Sequence, residues 1–415
     1  VSTPALRTRS APGPAIVGPL LHGPLLAWAA LFLNVLPFQG TSLLPIPHSI
    51  GQLMAQGALL LALVLALLAN PGMVIRPNVV LLLLSAMAVL ALMVSLHNEF
   101  LVGSSYRAVR LVLFVVVLWL LTPWWGRPEL PLLRAHLLVL KVILASVWLG
   151  AVLGPGPAFA AAGRLTGVVW PIPAPQVAHY AAILMGCTIV LWFCGLVGGR
   201  STALTLIAAA AALVATHTRT ALLALCLGLL LAGASLFLGH ARVRRTAAVA
   251  VLVGLAAWTI FSPLIVSWLA RGQSAEDLAQ LTGRTKVWAA IAARHTTMLQ
   301  EFFGTGLGNK SFDGLAIDSN WVATHLELGR VGVALVVAIL LVIFLAAWTR
   351  PAGPRRAIAI FIVVYCVMAS FTETGLGDAS PYLLDLAVAA SLVVGPPGLL
   401  RRQPRTRSRA RPSPA

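Results

Sequence analysis

Apolar residues along this chain neither alternate, as on a half-buried strand, nor recur every three to four positions, as on a surface helix. They run in long blocks. The blocks cover 20–38, 51–69, 79–96, 104–122, 131–153, 176–197, 201–216, 219–239, 246–269, 321–348, 357–372 and 380–395. A helix rises about 1.5 Å per residue, so roughly 20 apolar residues cross the ~30 Å hydrocarbon layer of a bilayer. The pattern predicts twelve transmembrane helices, and an even number leaves both tails on one side. Polar stretches set the organisation: a basic tail at 1–19, nine helices over 20–269, a long hydrophilic connection at 270–320, three helices over 321–395, and a second basic tail at 396–415.

Composition narrows the class. Residues of the set AVILMFWYC make up 59% of the chain and charged residues 10%, against ~45–50% and ~25% in an average soluble domain. A water-soluble globular protein is excluded, and so is disorder, which needs low hydrophobicity. The expectation is an all-α integral membrane protein with a lipid bilayer as its solvent. Its four cysteines (Cys187, Cys194, Cys226, Cys366) lie inside apolar blocks without metal-ligand or CxxC spacing, and read as packing residues.

The net charge of +18 would suggest nucleic acid in a soluble protein. Here most of the basic residues fall in the tails and in the loops on the same side, which the positive-inside rule assigns to the cytoplasm. No nucleic-acid partner is expected, and both termini are predicted cytoplasmic in a plasma-membrane protein. Arg107, Arg110, Arg164, Arg219, Arg271, Arg284, Lys286, Arg294, Lys310 and Arg330 fall on the opposite, outer side. Any one of them can snorkel, but the set points to an anionic partner there. Lys141, inside the fifth block, has a stem long enough to reach the Arg134 end.

Within 270–320, Trp288, Ile291, His295, Met298, Leu299 and Phe302 recur at roughly helical spacing, predicting one amphipathic helix over 283–302. It lies either on the outer membrane face or on the rim of the protein. The following Gly304-Thr-Gly-Leu-Gly308 is a turn, because no strand–helix unit surrounds it. Block 201–216 has 16 residues and reaches only ~24 Å. The connection Thr216-His217-Thr218 is therefore expected below the outer surface, with Arg219 opening the next helix from a recess.

Four separated stretches resemble the O-antigen ligase and polymerase superfamily of membrane glycosyltransferases. They are Gly163-Arg-Leu-Thr-Gly167 with the proline-rich 170–178, then Thr218-Arg-Thr-Ala-Leu-Leu222, then Thr282-Gly-Arg284 with Trp288, and last Phe303-Gly-Thr-Gly-Leu-Gly308 with Glu327, Gly329 and Gly332. Together they cover about 160–335. The resemblance implies that Arg219 and Arg284 hold the pyrophosphate of a polyprenyl-linked glycan donor, with no cofactor. It also implies a catalytic histidine in a His-Asn pair nine residues before the motif glutamate. Counting back from Glu327 reaches Asp318, followed by Ser319, so a carboxylate stands where the family has its base.

Fixed guanidinium groups can stabilise charge growing on a leaving pyrophosphate without a metal. An acceptor hydroxyl then needs a base within hydrogen-bond reach: Asp318, or its rival His325 on the same helical face ~10 Å deeper. Arg107 and Arg110, at i and i+3, share a face suited to donor phosphate or an acidic glycan. Arg164 and Glu327 belong to the matching motifs and are carried as substrate-side residues. Gln176 stands where the family often has Asn and is placed to orient a sugar. Glu373, Asp378 and Asp385 cluster around the last outer loop, as acceptors for sugar hydroxyls or as partners of the outer arginines.

The function expected from the resemblance is transfer of a glycan from a polyprenyl pyrophosphate carrier to a glycan or glycolipid acceptor on the outer face. Ligase and polymerase differ in the acceptor. A separate class, a secondary transporter or flippase, predicts broken midplane helices and inverted repeats. A non-catalytic assembly partner would explain the Asp at the family's His position.

Overall fold

The computed structural model describes residues 22–395 except 41, 99, 271–283, 309 and 313. Both basic tails, Arg271 and the Thr282-Gly283 pair lie outside the described residues, and the side chain of Arg284 is likewise not described. Fifteen α-helices are described: α1 His22–Val35, α2 His48–Ala69, α3 Val79–Ser95, α4 Leu101–Leu120, α5 Pro131–Leu153, α6 Pro155–Ala158, α7 Ala174–Phe193, α8 Arg200–Ala215, α9 Arg219–Leu236, α10 Ala241–Ala270, α11 Arg284–Ala292, α12 Met298–Phe303, α13 Asn320–Trp348, α14 Pro354–Ala369 and α15 Pro381–Val393. The strands are a two-residue hairpin, β1 Ser311–Phe312 with β2 Leu315–Ala316.

A helix stands at each of the twelve apolar blocks. Seven (α2, α4, α5, α7, α9, α10 and α13) are long and apolar enough to cross a bilayer, and α1, α3, α8 and α15 are shorter apolar helices. The chain is an all-α, multi-pass membrane protein. Local chemistry sets several starts. Asn78 caps α3 by accepting from the Val80 amide at 2.8 Å. Proline opens α5, α14 and α15, where its missing N–H costs nothing.

At the centre are α7, α14 and α15. Close approach is licensed by Gly186 of α7 and Gly228 of α9, which leave room for the Phe361 ring of α14. A Cβ on Gly186 would lie 1.9 Å from that ring. His136 of α5 and His179 of α7 meet Asp385 of α15 in the same buried centre, each Nε2 within 3.0 Å of a different carboxylate oxygen. This corrects the placement of Asp385 at the last outer loop. One turn into α15, it points into the core. By contrast α10 is unburied along its apolar length. It is held at its ends, where Arg242 donates to the Trp192 carbonyl and Trp268 stacks on His217 at 5.5 Å.

Two corrections concern the region after 283. The single helix expected over 283–302 is two helices, α11 and α12, separated at 293–297. Thr297 and Gln300 form a capping box that starts a new helix, a signal stronger than the apolar spacing that seemed to bridge it. Further on, α13 is broken at Gly329 (φ 64°). At the bundle end formed by 126–127, 192 and 393, arginines cap carbonyls: Arg355 reaches Gly126 and Arg127, and Arg350 reaches Val393.

Candidate functional site

The break in α13 faces the Gly304–Gly308 loop. Where the helix opens, its freed carbonyls take new donors. The Thr305 amide donates to Leu326 O at 3.0 Å, and the Gly306 amide to Glu327 O at 2.9 Å. Contact this close excludes side chains on both partners. A Cβ on Gly304 would lie 2.3 Å from Glu327 O, and one on Gly329 2.3 Å from Phe302 O. Glycine is also the residue for their positive φ angles of 82° and 64°. The buried Glu327 side chain completes the joint by accepting from the Gly308 amide at 3.0 Å. The glycines and glutamate of the fourth motif thus have a structural reason: they dock a loop into a helix break.

Residues 370–380, between α14 and α15, are the hub of the site. The Asn320 amide donates to Ser370 O, and Asn320 Oδ1 accepts from the Gly375 and Leu376 amides. Asp378 is buried and forms ion pairs with Arg107 of α4 and, at 3.6 Å, with Lys310. Arg107 also lies 3.5 Å from Glu327. Burial alone would raise the Asp378 carboxyl, but Arg107, Lys310 and Arg110 outweigh it and hold the group below the ordinary carboxylate range. Arg110 donates to Asn34 Oδ1 at 3.2 Å, to Asn34 O at 3.0 Å and to Ala379 O at 3.3 Å.

A second basic corner forms where α8 meets α9. Arg164 donates from Nε to Thr216 O at 2.9 Å and from Nη2 to Thr218 Oγ1 at 3.1 Å, so it holds the turn that presents Arg219. Burial lowers the Arg164 guanidinium pKa, while the field of Glu373 opposes that shift. Thr216 and Thr218 are buried, as a recessed turn requires. Arg219 is half-buried at the start of α9.

Two chambers open beside the hub. A cleft of about 1480 Å³ lies among α3, α4, α12, the glycine loop and the hairpin. Its rim includes the exposed apolar side chains of Met93, Phe100, Val102 and Leu299. A smaller chamber of about 410 Å³ is lined by Asn34, Gln52, Gln56, Tyr106, Arg110 and Gln176 among others. Lys310 lines both.

The structure therefore gathers Arg107, Arg110, Lys310, Glu327 and Asp378, with Gln176 at the smaller chamber, and sets Arg164, in the field of Glu373, at the turn before Arg219. Asp318 is half-buried immediately before the Ser319-Asn320 step that ties α13 to the hub. His325 is exposed on α13, two positions from the buried Glu327 and so on a different face. Arg284 opens α11. Sequence reasoning passed over the central role of Lys310 and the chamber residues Asn34, Gln52 and Gln56. Their signal was present: amides inside apolar blocks, where an unpaired polar group is costly. No protein-family model matches this chain, and no curated protein matches it.

Proposed function

We propose that this protein is a membrane glycosyltransferase of the O-antigen ligase and polymerase type. It crosses the plasma membrane twelve times with both termini in the cytoplasm. It moves a glycan from a polyprenyl pyrophosphate to a glycan or glycolipid acceptor at the outer face. The observation that carries this reading is Lys310 standing between two chambers of opposite character, one with an apolar rim and one lined with amides. A lipid-linked glycan has an apolar tail and a hydroxyl-rich sugar, and the two chambers offer a surface for each.

In the transfer, the acceptor oxygen bonds to the anomeric carbon as the bond from that carbon to the pyrophosphate oxygen breaks. The electron pair leaves with the polyprenyl pyrophosphate, the configuration inverts, and the hydroxyl proton passes to a base. Arg219 and Arg284, carried over by resemblance, stabilise the leaving charge, and Arg164 positions Arg219. Asp318 occupies the position of the base.

The test is transfer by purified protein from a polyprenyl-linked glycan. Arg219→Lys and Arg284→Lys keep charge but lose the planar fork, and each is expected to lower the rate by ~10²–10³ with normal membrane insertion. Transfer should survive EDTA. Near wild-type rates in both variants would remove the arginine clamp. Cells lacking the gene report the acceptor: long glycans left on the carrier mean ligase, single repeat units on the final acceptor mean polymerase.

The broken α13 favours one other reading, a secondary transporter, since such proteins bind ions at helix breaks. Here the freed carbonyls at the break accept from the Thr305 and Gly306 amides, which leaves them poorly suited to a cation. Solute uptake by proteoliposomes without glycan transfer would establish the transporter instead.

A further inference from the structure

Three cations, Arg107, Arg110 and Lys310, share the hub with two buried carboxylates, Glu327 and Asp378. Arg107 and Lys310 are paired with the acids. Among the described residues Arg110 is hydrogen-bonded only to neutral oxygens, those of Asn34 and Ala379. The other carboxylate of the 370–380 segment, Glu373, acts on Arg164. Among the three cations and two buried carboxylates one positive charge is left, and Arg110 presents it on the wall of the smaller chamber.

The rest of that wall carries the amides of Gln52 and Gln56 from α2 and Gln176 from α7, while the Asn34 amide of α1 is spent on Ala55 O and on Arg110. A carboxamide offers a donor and an acceptor side by side, the pairing that vicinal hydroxyls demand. Gln176 Oε1 is shielded from water and has no hydrogen-bond partner among the described residues, so it is an acceptor lacking its donor. No Asp or Glu lines the chamber among the described residues, so nothing on the wall repels an anion. Its volume of about 410 Å³ sits at the small end of the ~300–1,000 Å³ typical of small-ligand sites, suited to a short saccharide and not to a long chain.

We infer that this chamber is a saccharide subsite selective for a sugar unit carrying a negative charge, as a carboxylate or a phosphate. The inference rests on the glycan-transfer reading and specifies which glycans it takes. Arg110 receives the anionic group, with Lys310 beside it, and the amides of α2 and α7 read the hydroxyls around it.

The test uses the full chain in phosphatidylcholine nanodiscs and three soluble probes: methyl β-glucuronide, glucose 1-phosphate and methyl β-glucoside. At least one anionic sugar should bind about tenfold or more tighter than the neutral one, as a charge-assisted contact allows. Which of the two does so identifies the anionic group. Arg110→Gln should erase that preference. Gln56→Leu, at a side chain with no hydrogen bond to lose, should weaken binding of every sugar and keeps the test open if Arg110→Gln does not fold. Equal affinity for the three sugars, undiminished binding in Gln56→Leu, or inorganic phosphate binding as tightly as the anionic sugars would overturn the subsite. Transfer without selective sugar binding sinks the subsite alone. Selective binding without transfer from any lipid-linked glycan sinks the transferase reading and leaves the subsite standing.

Discussion

Asp378 is a carboxylate held between Arg107 and Lys310 with almost no access to water. Removing one partner of a buried ion pair leaves the other charges uncompensated and typically costs ~3–5 kcal/mol. Asp378→Asn should therefore lower the thermal midpoint in detergent by several degrees. The group titrates lower in the folded protein than its unfolded value near ~3.9. Its contribution to stability is thus complete above that value and is lost as pH falls through the folded one. Between pH 5 and 8, a window well above ~3.9, the difference in midpoint between wild type and Asp378→Asn should stay constant, and the acid-side fall should be shallower in Asp378→Asn. The base gives a second prediction at this scale. Paired substitutions decide between Asp318 and His325. With Asp318 as base, Asp318→Asn abolishes transfer, and His325→Gln on its exposed face stays active. An active Asp318→Asn with an inactive His325→Gln would transfer the role to His325.

The joint between the glycine loop and α13 is where single residues decide an element. Gly329 adopts φ 64° with Phe302 O 2.3 Å from where a Cβ would sit. An alanine there meets both left-handed strain, ~1–3 kcal/mol, and a backbone collision that must push the loop away. Gly329→Ala and Gly304→Ala should lower the thermal midpoint and impair transfer together. Gly308→Ala, with open space at its Cβ, keeps the amide that Glu327 needs and should behave as wild type in both. If all three alanines are tolerated alike, the loop is not seated as described.

Across the whole molecule, α5, α7 and α15 are tied through His136, His179 and Asp385 in a fully buried setting. A buried ionic group is weak evidence of stability, because apolar residues of similar volume often replace it without loss. Asp385→Leu alone should destabilise by ~1–3 kcal/mol, since it leaves two buried imidazole nitrogens without their hydrogen-bond acceptor. Replacing all three with Leu or Phe should recover most of the thermal midpoint. A triple variant that folds but no longer transfers glycan would give the cluster a functional role, whereas an active one would confine it to helix register.

The helices were legible because lipid leaves the chain little choice. Backbone groups must be satisfied within each segment, so every long apolar block becomes a helix at its place in the sequence. Polar residues inside those blocks, such as Asn34, Gln56 and His179, were equally visible but carried no address. A helical period says which face a residue lies on and not which helix meets that face. The pairing of Arg107 with Asp378 joins residues 271 positions apart, and that of His136 with Asp385 is comparably remote. Only tertiary packing chose these partners, by burying charges whose desolvation had to be offset by the nearest opposite charge. Likewise the Gly304–Gly308 run reads as a turn until the break at Gly329 supplies carbonyls for its amides. The sequence by itself determined that this chain lives in a membrane and where its apolar helices lie. The packing of those segments determined which of its charges neutralise one another and where one is left to meet a ligand.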